Sequence, residues 1–183
     1  MNKKLLWFLL PFFIVLLIIF VTTLKHKELS KLPFNNFTFP STLNVNNNTE
    51  YKKADTIVLV LANKIFNFDT LDILLYDIPN IMNKTSNMDL YAIVQKLPFK
   101  NHSYLIFLKP NMDLEKLKLS ISHEFIHIKQ YENGELILYD RYAIWHDRII
   151  FFKELEYEKR PFEIEAFSKQ YKIRKELNKI LYK

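Results

Sequence analysis

The chain has 183 residues, 49% of them hydrophobic and 15% aromatic, enough for one packed domain plus an appendage. It contains no cysteine, which excludes disulfides, thiolate metal ligands and lipoprotein-type acylation, so any metal must be held by His, Asp or Glu. The formal charge of +6 does not mark a nucleic-acid partner: five of the 26 basic residues and one of the 20 acidic ones lie within residues 1–31, leaving a near-neutral remainder and an excess placed where anionic headgroups would attract it.

Leu5 to Leu24 is a run of 20 positions without a charge. As a helix it covers about 30 Å, the thickness of a bilayer core. Pro11 is tolerable in a membrane helix, and Trp7 lies near one end. The run closes on Val21-Thr22-Thr23-Leu24-Lys25, with no small-x-small cleavage site, so an uncleaved anchor is expected over residues 1–27 rather than a signal peptide. The short basic N-terminus places that end in the cytoplasm and the rest of the single-pass chain on the non-cytoplasmic side.

Residues 28–55 are polar, with Pro33, Pro40 and the run Asn44-Val45-Asn46-Asn47-Asn48, and read as a linker. The domain is then expected over 56–183. Thr56 to Leu61 is short, apolar and β-branched and reads as a buried strand. Leu71–Tyr76, Leu90–Leu97 and Tyr104–Leu108 are further strand candidates. Asp113 is a good N-cap for a helix with Glu115 in its first turn. That helix ends at Asn133-Gly134, where the chain's one glycine suits a left-handed terminator.

The bracketed helix carries His123-Glu124-Phe125-Ile126-His127. Residues four apart share a helix face, so both imidazoles can reach one metal ion, with Glu124 beside it as a proton acceptor. Gln130 shares that face. The alternative is two histidines on a semi-buried helix and a solvated glutamate. Beyond Gly134 the pattern predicts a short apolar piece, Leu136–Tyr139, a helix from Arg141 to about Glu154, and a last helix from Pro161 to Leu181.

Glu163 and Glu165 lie on nearly opposite sides of that last helix. On a wheel of about 100° per residue, Ala166, Phe167, Tyr171, Leu177 and Leu181 fall within about 80° of Glu163, together with Gln170, Arg174 and Asn178; Glu163 is thus expected near the middle of a mostly buried face, and Glu165 to face water among Lys169, Lys172, Glu176 and Lys179. A carboxylate on an apolar face is costly unless paired or bound to metal. Glu163 is therefore the expected third ligand, with Glu165 as the alternative. A third reading makes Glu163 an acceptor for the free backbone N–H groups of the first turn.

His123-Glu124-x-x-His127-x-x-Gln130 followed by Pro161-x-Glu163-x-Glu165-Ala166 resembles the gluzincin metallopeptidases, in particular small membrane-associated bacterial members. The resemblance covers roughly Tyr104 to Gln170. It implies an α+β, zincin-like fold: a small sheet whose edge strand borders the cleft, an active-site helix and a C-terminal ligand-bearing helix. It further implies Zn2+ held by His123, His127 and Glu163, with Glu124 activating the zinc-bound water against peptide or protein substrates. Tyr139, Tyr142, His146 and Tyr157 are candidates to stabilise the oxyanion, and Tyr104–Leu108 is a candidate to pair with an extended substrate. One position departs from the family pattern: many gluzincins carry Asp four residues after the third ligand, where this chain has Phe167. Asp140 or Asp147 is a candidate substitute. The departure motivates a second reading, a catalytically inactive, membrane-tethered metal-binding or interaction domain. An accessory or toxin-resistance protein with a metal-free core is a third.

Overall fold

The computed structural model describes residues 39–78, 91–98 and 100–182. The expected anchor, residues 1–27, lies outside them. Among the described residues no helix is long and apolar enough to cross a membrane. The architecture is mixed α+β. A four-stranded sheet has the order β1-β2-β4-β3, built from β1 (Leu43–Asn48), β2 (Leu71–Asp77), β3 (Ala92–Lys96) and β4 (Ser103–Leu108). β1, β2 and β4 run parallel and β3 runs antiparallel to β4. Among the described residues three helices accompany it: α1 (Ala54–Val60), α2 (Leu114–Glu132) and α3 (Pro161–Leu181). A three-stranded antiparallel sheet, β5 (Leu136–Leu138), β6 (Tyr142–Trp145) and β7 (Arg148–Phe151), separates α2 from α3.

β1 lies inside the stretch read as linker. Its asparagines pair with β2 along the sheet edge, Asn44 with Asp72 through Asn48 with Tyr76. Leu43 is buried and Val45 packs against the core, so two apolar side chains suffice to fix a polar strand.

The expected strand at Thr56–Leu61 is instead helical. α1 runs into a π-helical turn, Leu61–Ile65. Ala54, Ile57, Val58 and Leu61 are all buried, and their i, i+3, i+4, i+7 spacing is a helix signal visible only when the run is followed beyond six residues. Burial here overrides the strand preference of the β-branched side chains.

The expected helix from Arg141 to about Glu154 is instead the β6–β7 hairpin. Trp145 pairs with Arg148 across a two-residue turn. His146 and Asp147 have φ of 43° and 63°, both positive as a type I′ turn requires. The pair is neither Asn-Gly nor Asp-Gly, so the turn carries no familiar sequence mark.

α2 has the expected ends. The Asp113 carboxylate accepts from the Lys116 N–H at 2.8 Å. At the other end the Glu135 N–H donates to the Gln130 carbonyl and the Gly134 N–H to the Tyr131 carbonyl, with Gly134 at φ +71°; this is a Schellman terminator. α2 packs against α3 and β3, and Phe125, Ile121 and Ile128 are fully buried in the main core.

α3 spans the expected residues, but its buried stripe is rotated. Phe162, Glu163, Ala166, Gln170, Leu177 and Leu181 are buried, whereas Phe167 and Tyr171 are exposed. The stripe is centred about 40° from Glu163, toward Ala166 and Leu177. Glu163 thus stands at the border between the core-facing side and the open side that carries Phe167.

Candidate metal centre

α2 and α3 bring three side chains to one point. His123 Nε2 lies 3.2 Å from Glu163 Oε2, and His127 Nε2 lies 3.3 Å from the same oxygen. The two Nε2 atoms are 3.2 Å apart. All three residues are buried, and the cluster could hold a metal ion. Four-coordinate zinc with bonds of about 2.0–2.1 Å places neighbouring donor atoms about 3.3 Å apart. The triangle therefore has the dimensions of one face of such a site, and its imidazole–carboxylate donor set is one that zinc shares with other divalent transition metals.

The hydrogen bonds behind the imidazoles make the same point through charge. The Gln130 amide N–H2 donates to the Phe162 carbonyl at 3.1 Å and to Glu165 Oε2 at 2.9 Å. Both partners are acceptors, so the amide orientation is determined and Oε1 is the atom facing His127. His127 Nδ1, 2.8 Å from that oxygen, is then the donor, and the Nε2 lone pair of the neutral ring points at the cluster. His123 Nδ1 faces Gln170 Oε1 at 3.2 Å, which favours the same arrangement. Two nitrogen lone pairs and a carboxylate oxygen then converge, and they repel unless a cation lies between them.

Without a metal that cation is a proton. Burial pulls the His127 pKa down, but the hydrogen bond and charge of Glu163 dominate and raise it to about 9. Burial raises the Glu163 carboxyl, yet the hydrogen bonds to His123 and His127 outweigh it and bring it to about 2. A divalent ion would displace the shared proton.

Glu124 lies next to His123 on α2 and is buried. Burial pushes its carboxyl above the ordinary range, opposed by His123 and His127. The backbone N–H of Val94 on β3 hydrogen-bonds to it. A cleft of about 440 Å³ opens on Glu124 and His123, walled by Tyr91, Ala92, Leu119, Tyr157 and Phe167 among others. A larger hollow of about 680 Å³ runs beside Val94 to Leu97 and Leu136 to Asp140. Another, of about 1010 Å³, lies around Leu138 to Tyr142 and Phe151 to Lys153. None of the three metal-cluster residues lines either of these two; the small cleft is the one at the chemistry.

Of the four oxyanion candidates, Tyr157 alone lines that cleft. Its hydroxyl hydrogen-bonds to Glu163, and burial, with Glu163 and Glu124 nearby, drives its pKa above the usual phenol range. It therefore remains a proton donor at neutral pH. Tyr139 and Tyr142 stack on each other at 4.6 Å, and His146 packs edge-on against Trp145. Tyr104–Leu108 does not present a free edge: β4 has β2 on one side and β3 on the other, so it is a core strand that its apolar run made attractive for the wrong role. The strand bordering the cleft is β3. Its bonds from Lys109 N to Tyr91 O and from Leu97 N to Ser103 O fix the alternation, so the backbone groups of Ala92, Val94 and Lys96 point away from β4.

Glu165, the alternative third ligand, is turned from the cluster. One carboxylate oxygen accepts from Gln130 and the other pairs with Lys169. Asp140 and Asp147 do not back the histidines; the two glutamines do. Phe167 packs its ring 4.8 Å from the His123 ring. Gln170 was the residue the sequence reading missed. Its place one turn beyond Phe167 and two beyond Glu163 was visible, but a glutamine among apolar neighbours is not a distinctive signal. Comparison of the chain with protein-family models, curated proteins and solved structures finds no match.

Proposed function

We propose that the chain is a zinc-dependent metallopeptidase of zincin-like architecture, tethered to a membrane by residues 1–27. The observation that carries the reading is the buried triangle of His123 Nε2, His127 Nε2 and Glu163 Oε2, with sides of 3.2 to 3.3 Å, beside the carboxylate of Glu124. The anchor rests on the uncharged run Leu5–Leu24.

His123, His127 and Glu163 would hold the zinc. Zinc supplies Lewis-acid polarisation of a carbonyl and acidifies water toward neutrality. Glu124 takes the proton from the attacking water and delivers it to the leaving amine. Tyr157 donates to the developing oxyanion. The peptide lies along the outward edge of β3, whose Ala92 lines the cleft and whose Val94 to Lys96 line the adjoining hollow. Backbone pairing with the outward groups of Ala92 and Lys96 binds an extended chain irrespective of its side chains, while the Val94 N–H stays with Glu124.

The test uses the full chain with one equivalent of zinc on an unfolded protein substrate. Wild type is expected to cleave it, and Glu124→Gln to retain zinc while losing at least about 100-fold in rate. A wild type that binds zinc and cleaves neither proteins nor peptide mixtures supports instead the inactive metal-binding reading, which the substitution of Phe167 for a hydrogen-bonding residue favours. A variant as active as wild type removes Glu124 from the reaction.

A further inference from the structure

We propose that Gln130 and Glu165 act together as positioning residues that lock His127 in the Nδ1-protonated form, so that Nε2 is committed to the metal. The inference rests on the zinc reading above and assigns the second glutamate of the Pro161-x-Glu163-x-Glu165 pattern a task distinct from ligation.

A glutamine beside a histidine does not by itself fix a tautomer, because its amide can present either oxygen or nitrogen. Gln130 has lost that freedom. Its side chain is fully enclosed at the end of α2, and its N–H2 group faces two acceptors on α3, the Phe162 carbonyl at 3.1 Å and Glu165 Oε2 at 2.9 Å. Turning the amide over would set oxygen against a carbonyl and a carboxylate and would place N–H2 against His127. The charge on Glu165 makes the reversed state the more costly one. Lys169, one turn along α3, pairs with the other oxygen of Glu165 and keeps the carboxylate aimed at Gln130. The sequence Lys169–Glu165–Gln130–His127 therefore conveys an orientation from the rim of α3 into the site.

This arrangement also accounts for Phe167. The Asp implied by the family pattern would orient a histidine directly from α3. Here the ring of Phe167 packs on His123, and the carboxylate that orients a histidine sits two residues earlier, acting through an amide on the other imidazole.

The full chain is purified as wild type, Gln130→Met, Glu165→Ala, the double variant Gln130→Met/Glu165→Ala, Gln130→Glu alone, and the exchange Gln130→Glu/Glu165→Gln. Zinc affinity is measured by chelator competition, and the His127 tautomer by NMR of ¹⁵N-labelled histidine. Gln130→Met is expected to weaken zinc about 10–100-fold, the usual consequence of removing a partner behind a ligating histidine. Glu165→Ala should weaken it in the same direction, and the double variant should be no worse than Gln130→Met, because both act through one bond. Gln130→Glu alone sets two carboxylates face to face and should bind poorly. Adding Glu165→Gln restores a donor–acceptor pair but still sets an oxygen against the Phe162 carbonyl, so it should recover affinity only in part, above that of Gln130→Glu alone. Read on the metal-free chain at alkaline pH, where the ring is neutral, wild-type His127 should be protonated on Nδ1, and Gln130→Met should give a mixture.

Unchanged affinity and tautomer in Gln130→Met and Glu165→Ala, with zinc bound normally by wild type, would overturn the relay alone, even if both variants melt earlier. A wild type that takes up no zinc would overturn the relay and the zinc reading together. Should Gln130→Met fail to fold, Glu165→Ala carries the test, since that side chain is 26% exposed and its removal leaves the core intact.

Discussion

At the scale of single residues, two glutamates two positions apart on α3 do different work because the helix turns them by about 200° relative to each other. Glu163 meets both imidazoles; Glu165 meets Gln130 and Lys169. Glu163→Gln keeps the shape but removes the charge that draws a cation into the cluster. It should weaken zinc by more than about 100-fold, beyond the range seen for residues behind a ligand. If Glu163 only accepted backbone N–H groups, the variant would lose about 1 kcal/mol of stability and no zinc. Tyr157→Phe makes a complementary case. Its hydroxyl touches Glu163 yet is not needed as a ligand, so zinc affinity should hold while kcat falls about 100-fold, the scale of one oxyanion donor. Equal rates for Tyr157→Phe and wild type would return the oxyanion role to another group.

At the scale of elements, what was legible in the sequence was what local rules determine. Asp113 and Gly134 marked the ends of α2 because a side-chain cap and a positive φ leave residue-specific signs. Pro161 marked the start of α3 for the same reason. The pair His123/His127 followed from helical spacing alone, and Glu163 from its place on a wheel. What was not legible depends on partners distant in sequence. β1 becomes a strand because β2 offers it an edge; α1 is helical because its surroundings bury it on several sides. The orientation of Gln130 needs Glu165 and Phe162, more than 30 positions away. The β6–β7 turn was hidden by its residues, which yields a prediction. His146 and Asp147 both sit at positive φ, a region costing an L side chain about 1 kcal/mol or more. The double substitution His146→Asn/Asp147→Gly supplies the Asn-Gly pair that a type I′ turn prefers and should raise stability by about 1 kcal/mol in urea unfolding. A loss instead would show that the His146 contact with Trp145 outweighs the turn.

At the scale of the whole molecule, the cluster of His123, His127 and Glu163 lies beside the core rather than within it. The main apolar core joins β1, β2 and β4 to α1, α2 and α3 through residues such as Ile57, Ile73, Ile106, Phe125 and Leu177, none of them a member of that cluster. Chelation should therefore leave the fold in place and lower its melting temperature by mass action. Free zinc at about 1,000 times its Kd contributes about 4 kcal/mol, or about 8–16 °C for a domain of this size. The metal-free chain then has a pH signature of its own. Glu163 is lowered from 4.5 to about 2, so its contribution is complete above pH 4.5 and vanishes as pH falls through 2. His127 is raised from 6.5 to about 9, so its contribution is complete below pH 6.5 and vanishes as pH rises through 9. The pair therefore stabilises the metal-free chain most between about pH 4.5 and 6.5 and progressively less toward pH 9. With zinc bound the order reverses at the high end, because the metal competes with the same proton and gains affinity as pH rises. Thermal melts with and without chelator from pH 5 to 9 should converge at the acid end and separate at the alkaline end. Curves that stay parallel across that range, or a chain that loses its circular-dichroism signal on chelation, would show that the ion is not exchanging for the His127 proton at this cluster.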